Sequence, residues 1–194
     1  MEFILTCAVA FMSTNIDDTF LLMLFFGNKQ YKTVEIFVGQ IVGILSLIIA
    51  SLVLSLAGLV VGKVFIGLLG FVPIYLGVKK VIALFANADE GDSLVLPIST
   101  SKIVTVAGLT IANGGDNIGV YVPLFASFAW PQKATMIVVF MLMTIILCFV
   151  SKYLARHPLL AKTIHRYGDV VTPFVLILLG VYIMHENDVF SLLR

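Results

Sequence analysis

Asn113-Gly114-Gly115-Asp116-Asn117 interrupts an apolar stretch that runs from roughly 103 to 128, and Thr14-Asn15-Ile16-Asp17-Asp18 interrupts another from roughly 3 to 26. Thr14, Asp17 and Asp18 stand at i, i+3 and i+4, and Asn113, Asp116 and Asn117 repeat that spacing about half the chain length later. On a helix the spacing places each trio on one face. The two clusters read as one motif written twice.

The surroundings of these clusters set their meaning. The chain is 60% hydrophobic and 12% charged, and its mean hydropathy is +1.11, well outside the range of soluble domains. An all-α integral membrane protein is expected. A helix needs about 20 apolar residues to cross the hydrocarbon core. Six such stretches are legible, roughly 3–26, 36–60, 64–86, 103–128, 134–153 and 169–187. Only two connections have room for structure of their own: 87–102, acidic at Asp89, Glu90 and Asp92 and holding Pro97, and the basic 154–168. The first segment has Glu2 where a signal peptide needs positive charge and shows no clear small-residue cleavage site, so it is expected to stay attached. Cys7 and Cys148 both fall inside spans, which argues against a disulfide framework.

A carboxylate near the bilayer centre costs about 2.5–3.5 kcal/mol on insertion scales, so Asp17, Asp18 and Asp116 argue for a polar cavity with a task. One intramembrane Asp is explicable as a structural hydrogen-bonding group, worth only about 0.6–2 kcal/mol between helices. Three at matched positions are not. Gly114-Gly115 should weaken the helix at mid-span, and backbone groups freed at that depth are tolerable only where they line a cavity or protein interior. Carboxylates with Asn15, Asn113, Asn117 and Thr14 beside them make a site rich in oxygen donors and poor in cationic side chains. Such a site suits a cation, and oxygen donors favour hard ions where thiolates favour soft ones.

The repeat extends beyond the motif. Pro73 is followed by Leu76-Gly77-Val78 in the third stretch, and Pro173 by Leu179-Gly180-Val181 in the sixth. Residues 1–97 and 98–194 then form two three-helix repeats of one membrane domain. Because three is odd, the second repeat must enter the membrane the opposite way round. Inverted repeats with polar, glycine-interrupted helices meeting at the midplane point to a transporter site. Lys29, Lys32, Lys79, Lys80, Lys102, Lys152, Arg156, Lys162 and Arg166 fall on one side of this arrangement, and only Lys63, Lys133 and Arg194 on the other. That excess puts both termini outside the cell. Lys79 and Lys80 lie inside the end of the third stretch and are expected to snorkel to the interface.

The remaining features have ordinary readings. Gly39 and Gly43, and Gly58 and Gly62, fit small-residue helix packing, with Gln40 a candidate ligand from the second span. Cys7 lies seven residues before Thr14 on nearly the same face, either a waypoint for a soft metal or a small packing residue, the commoner role. Pro73 and Pro173 are expected to kink helices. His157, His165 and His185 form no metal-binding spacing. The phenylalanines read as lipid-facing, and Trp130, beside Pro131, as an interfacial anchor at the end of the fourth span. The net charge of +1 gives no reason to expect nucleic acid as a partner. No cofactor is implied.

The residues resemble a family at this point. Asn15-Ile16-Asp17-Asp18, Gly39-Gln40, Pro73-Ile74-Tyr75-Leu76-Gly77 and Asn113-Gly114-Gly115-Asp116-Asn117-Ile118-Gly119-Val120-Tyr121 resemble the cadmium resistance transporters of the lysine exporter superfamily, over essentially the whole chain. The resemblance implies a small bacterial plasma-membrane protein, not an enzyme, that exports divalent cadmium or zinc, with the paired motifs as the metal site. Asp17, Asp18 and Asp116 would be the charged ligands, exchanging metal for protons or another ion. Asn15, Asn113 and Asn117 would be amide-oxygen ligands or orienting neighbours, with Thr14 beside them. Related branches handle manganese, calcium or amino acids. A basic amino acid would suit the carboxylates, but no Arg or Lys is legible at mid-span to hold its carboxylate. An intramembrane aspartyl protease needs only two aspartates and a glycine where Asn113 stands. The packing motifs are compatible with a homodimer.

Overall fold

The computed structural model describes residues 2–57, 63–86 and 101–189, and every extended element among them is helical. The six apolar stretches become eight helices: α1 (Glu2–Gly27), α2 (Thr33–Ala57), α3 (Lys63–Leu68), α4 (Phe71–Ala86), α5 (Lys102–Asn113), α6 (Gly115–Ser127), α7 (Trp130–Leu154) and α8 (Pro158–Glu186). Glu2–Gly27, Thr33–Leu56, Ile66–Leu84 and Trp130–Leu154 are long and apolar enough to cross a membrane, while Lys102–Asn113 and Val170–Glu186 are shorter apolar helices. The Gly58 to Gly62 pattern, the acidic residues Asp89, Glu90 and Asp92, and the join of the halves at 97 and 98 lie outside the described residues.

The extra helices come from two breaks with local causes. The third stretch closes a tight turn, with the Leu69 and Gly70 amides bonding back to Ile66 and Gly67 at 3.0 and 2.9 Å. Pro73 follows in the first turn of α4, where a missing backbone N–H costs little. It therefore starts a helix, where a kink was expected. The fourth stretch breaks at Gly114, as its glycine pair suggested: α5 ends at Asn113 and α6 restarts at Gly115. The basic connection expected at 154–168 shrinks to Ala155–His157, because α8 already begins at Pro158. Trp130 opens α7, where the fourth span was expected to close on it, and its exposed ring lies 5.2 Å from the Lys133 ammonium.

Packing follows a pattern that survives exchange of the two halves. α2 lies on α5 and α6, and α1 lies on α7; α1 meets α8, and α3 with α4 meets α6; α4 lies along α8. Glycines bring the backbones together. A Cβ on Gly39 would meet the Val106 Cβ at 2.6 Å and the Ile103 carbonyl at 2.9 Å, and one on Gly43 the Thr110 Cβ at 2.6 Å. Where α4 meets α8, a Cβ on Gly77 would strike the Pro173 carbonyl and Ile177, and one on Gly180 would strike the Gly70 carbonyl and Ile74. The shift that carries Gly77 to Gly180 also carries Gly70 to Pro173 and Ile74 to Ile177. Under that shift the glycines coincide and Pro73 and Pro173 do not.

Two contacts fix the relative direction of the motif helices. Phe3, at the start of α1, packs edge-on against Phe128 just past α6, with ring centroids 4.9 Å apart. Lys102, at the start of α5, lies 5.2 Å over the ring of Tyr31, just past α1, and its ammonium reaches the Gln30 carbonyl. α1 and the α5–α6 pair therefore run antiparallel. The core between α1, α6 and α7 is aromatic: Phe140 has its ring centroid 4.4 Å from that of Tyr121, 5.7 Å from Phe11 and 6.3 Å from Phe125, all buried. These buried phenylalanines depart from the expectation that the phenylalanines face lipid, whereas Phe20, Phe71, Phe149 and Phe174 are exposed. Cys7 and Cys148 are free and buried in the same apolar core, so Cys7 packs.

Candidate functional site

The polar motif of α1 faces the break between α5 and α6, and the helical spacing divides its residues between two neighbouring clusters. Asp18 is buried, 1% exposed. Its two oxygens accept from the side-chain amides of Gln40 on α2, at 3.0 Å, and Asn113 on α5, at 2.7 Å. Gln40 is held in turn by the Thr110 hydroxyl, which donates to its carbonyl oxygen at 2.6 Å. A buried carboxylate needs such donors, since an unpaired one would forfeit its solvation with nothing in return.

Beside it, Asn15 donates to the Asn117 side-chain oxygen and to the Tyr121 hydroxyl, both at 2.9 Å, and to the Phe11 carbonyl at 2.8 Å. Thr14 shares a 3.4 Å hydrogen bond with the Tyr121 hydroxyl. Asn15 Oδ1 and Asn117 Nδ2 are buried and have no hydrogen-bond partner among the described residues. The two copies of the motif thus meet through their amides.

Asp17 and Asp116 form the second cluster. Lys80, reaching in from α4, places its Nζ 3.1 Å from Asp17 Oδ2 and 3.3 Å from Asp116 Oδ2. The Asp17 side chain is 40% exposed, Lys80 24% and Asp116 12%, so this cluster is open where that of Asp18 is closed. Asp116 lies in the first turn of α6, and its Oδ1 accepts from the Asn117 backbone N–H at 2.9 Å. Among the described residues beyond its chain neighbours and its own helix backbone, nothing would lie within 4 Å of a Cβ on Gly115.

All seven expected site residues lie in these two clusters, but their division corrects a simple picture of three converging carboxylates. Among the described residues, no three His, Cys, Asp or Glu side chains come together in a group that would hold a metal ion. Gln40, a candidate ligand, turns its amide nitrogen to Asp18 and orients that carboxylate. The expectations that Lys80 snorkels to the interface and that no cation lies among the carboxylates are both overturned. Attraction to two carboxylates outweighs the pull of the interface. Thr110 enters the site unannounced, and Tyr121, quoted only as part of the family motif, gains a role in it. Tyr121 was legible, four residues after Asn117 and so on the same helix face.

Helices of this length, with half-helices meeting at a cluster of carboxylates and amides, define a helical membrane protein of the transporter class. The model of the cadmium resistance transporter family matches residues 11–194, and the chain belongs to that family. Comparison with curated proteins and with solved structures finds no match.

Proposed function

We propose that the chain exports a divalent metal cation, cadmium or else zinc, across a bacterial plasma membrane, in exchange for protons or another coupling ion. One observation carries the reading: Asp17 and Asp116, equivalent residues of the repeated motif on α1 and α6, converge on a single cationic group. A pair that holds an ammonium offers a divalent ion the same two carboxylate oxygens. Asp18 adds the third charge from the adjoining buried cluster, with Gln40 and Asn113 orienting it and Asn15, Asn117 and Thr14 as neighbouring oxygen donors. An exposed carboxylate midway along a spanning helix is tolerable only against water or protein, so the 40% exposed Asp17 marks the aqueous mouth of the site.

Six spans in two inverted repeats, 1–97 and 98–194, accommodate this arrangement. The exchangeable helix pairing and the antiparallel run of α1 and α5–α6 support it. The metal is cargo, no resident cofactor is required, and no catalytic step is assigned. A homodimer remains a proposal that draws no support from Gly39 and Gly43, which pack against α5 within the chain. The buried Cys7 and Cys148 stay in the apolar core, so preference for cadmium rests on family membership and not on thiolate ligands.

Lys80 favours one second reading, a basic amino acid, because its ammonium offers the partner that a substrate carboxylate needs. The same ammonium stands against a proton-sharing protease dyad, which requires its two aspartates to face each other. Proteoliposomes loaded in turn with cadmium, zinc, manganese or lysine separate these readings. Cadmium or zinc flux in wild type that vanishes in Asp116→Asn supports the proposal; lysine flux moves the chain to the amino-acid reading; full flux in the variant sinks the site.

A further inference from the structure

Lys80 does more than neutralise a charged pocket. It arises from neither copy of the motif, yet its ammonium stands between the two equivalent carboxylates, 3.1 and 3.3 Å away. We propose that Lys80 is a tethered competitor of the transported metal: it occupies the carboxylate pair between metal-loading events, so that the site returns across the membrane without bare charge. The proposal rests on the reading of Asp17 and Asp116 as metal ligands.

Three observations support it. A divalent cation and an ammonium repel each other at such distances, so both cannot be held by the same two oxygens. The lysine has an exit, because its side chain is 24% exposed and its flexible four-carbon stem lets the head swing toward water while the stem stays on apolar surface. Its position is also fixed from behind. Lys80 lies one turn beyond Gly77, where α4 presses against the Pro173 carbonyl of α8, so the tether starts from a defined height opposite α1 and α6. Two unpaired carboxylates inside the membrane would resist the return step. The ammonium removes that resistance at the cost of weaker metal binding, since any ligand binds less tightly when its site is free only part of the time.

The test uses purified full-length protein, wild type and Lys80→Gln, Lys80→Arg and Lys79→Gln. Cadmium binding is measured in nanodiscs; net cadmium efflux and exchange of internal for external cadmium are measured in proteoliposomes. Lys80→Gln is expected to bind cadmium about tenfold more tightly, as for a site otherwise free about a tenth of the time. Its net efflux should be lost while exchange, which never requires the unloaded return, is retained. Lys80→Arg keeps a cation and should restore much of the efflux. Lys79→Gln should match wild type.

Unchanged or weaker binding in Lys80→Gln, or net efflux that persists, overturns the proposal. So does loss of exchange together with efflux, or the same changes in Lys79→Gln. If Lys80→Gln does not yield folded protein, failure of Lys80→Arg to sustain efflux while it still binds cadmium is equally decisive against it. The metal-site reading fails by a different result: no cadmium binding or flux in wild type, or full flux in Asp116→Asn.

Discussion

At the scale of the residue, the site uses the same chemical group in two environments. Asp18 is enclosed and held by two amide donors, whereas Asp17 and Asp116 share an ammonium in the open cluster. Asp18→Asn is therefore expected to abolish cadmium resistance and cadmium binding without reducing the amount of protein in the membrane. An amide in that place turns only one oxygen to the Gln40 and Asn113 donors, while removal of an intramembrane charge eases insertion. Resistance assays beside immunoblots of membrane fractions read both effects, and wild-type resistance with normal expression would refute the assignment. Tyr121→Phe tests the amide cluster more gently. Asn15 and Thr14 keep other partners, so the loss should stay near the lower end of a single hydrogen bond, about 0.5–1.5 kcal/mol. A lowered unfolding midpoint in detergent, with slower cadmium flux, is the expected outcome; an unchanged midpoint and flux would remove Tyr121 from the site.

At the scale of the element, some glycines let helices touch, whereas Gly115, inside the broken motif helix, leaves room. A methyl group on Gly180 would run into the Gly70 backbone carbonyl, which no rotamer change relieves. Gly180→Ala should cost about 1–3 kcal/mol through overpacking and push α8 from α4. Gly115→Ala meets nothing within 4 Å and should be neutral or slightly stabilising, since alanine favours helix. If looseness at the α5–α6 junction serves transport, this second variant should fold normally and move cadmium more slowly. Thermal unfolding and proteoliposome flux on the two variants check the contrast, and equal loss of stability in both would contradict it. The Gly114 break was legible because two adjacent glycines sit in a polar cluster. The break before α4 was not, because Gly70 lies unremarked within an unbroken apolar run and Pro73 was weighed as a kink. Its signal was present all the same: a glycine closing one helix and a proline in the first turn of the next mark a stop and a start. That misreading did not hide Lys80, which is equally far from Ala86 in either reading; its place among the carboxylates is set by the approach of α4 to α1 and α6, which the sequence does not encode.

At the scale of the whole molecule, composition and periodicity were enough for a helical membrane protein, and the matched spacing of Thr14, Asp17, Asp18 with Asn113, Asp116, Asn117 was enough to pair α1 with α5–α6. Partnership across helices is set by three-dimensional approach, which no spacing encodes, and so the split between the Asp18 and Asp17–Asp116 clusters became visible only in the fold. Topology is the remaining claim at this scale. Phe3 lies against Phe128, and Asn187, past the end of α8, donates to the Ser127 hydroxyl at 2.8 Å, so the start of α1 and the ends of α6 and α8 share one end of the molecule. Lys102, joined to Gln30 and Tyr31, lies at the other end with Lys29 and Lys32. Withdrawing Lys80 from the cytoplasmic tally leaves the excess of lysine and arginine on that second end unchanged in sign. Both termini are therefore expected outside the cell and the 28–32 turn inside. Single cysteines at Asn28 and at Gln132, introduced after Cys7 and Cys148 are replaced by alanine, give a direct check with a membrane-impermeant maleimide on intact cells. Labelling at 132 and protection at 28 until the cells are opened is the expected result. The reverse pattern would invert the assigned orientation and turn the mouth marked by Asp17 toward the opposite compartment.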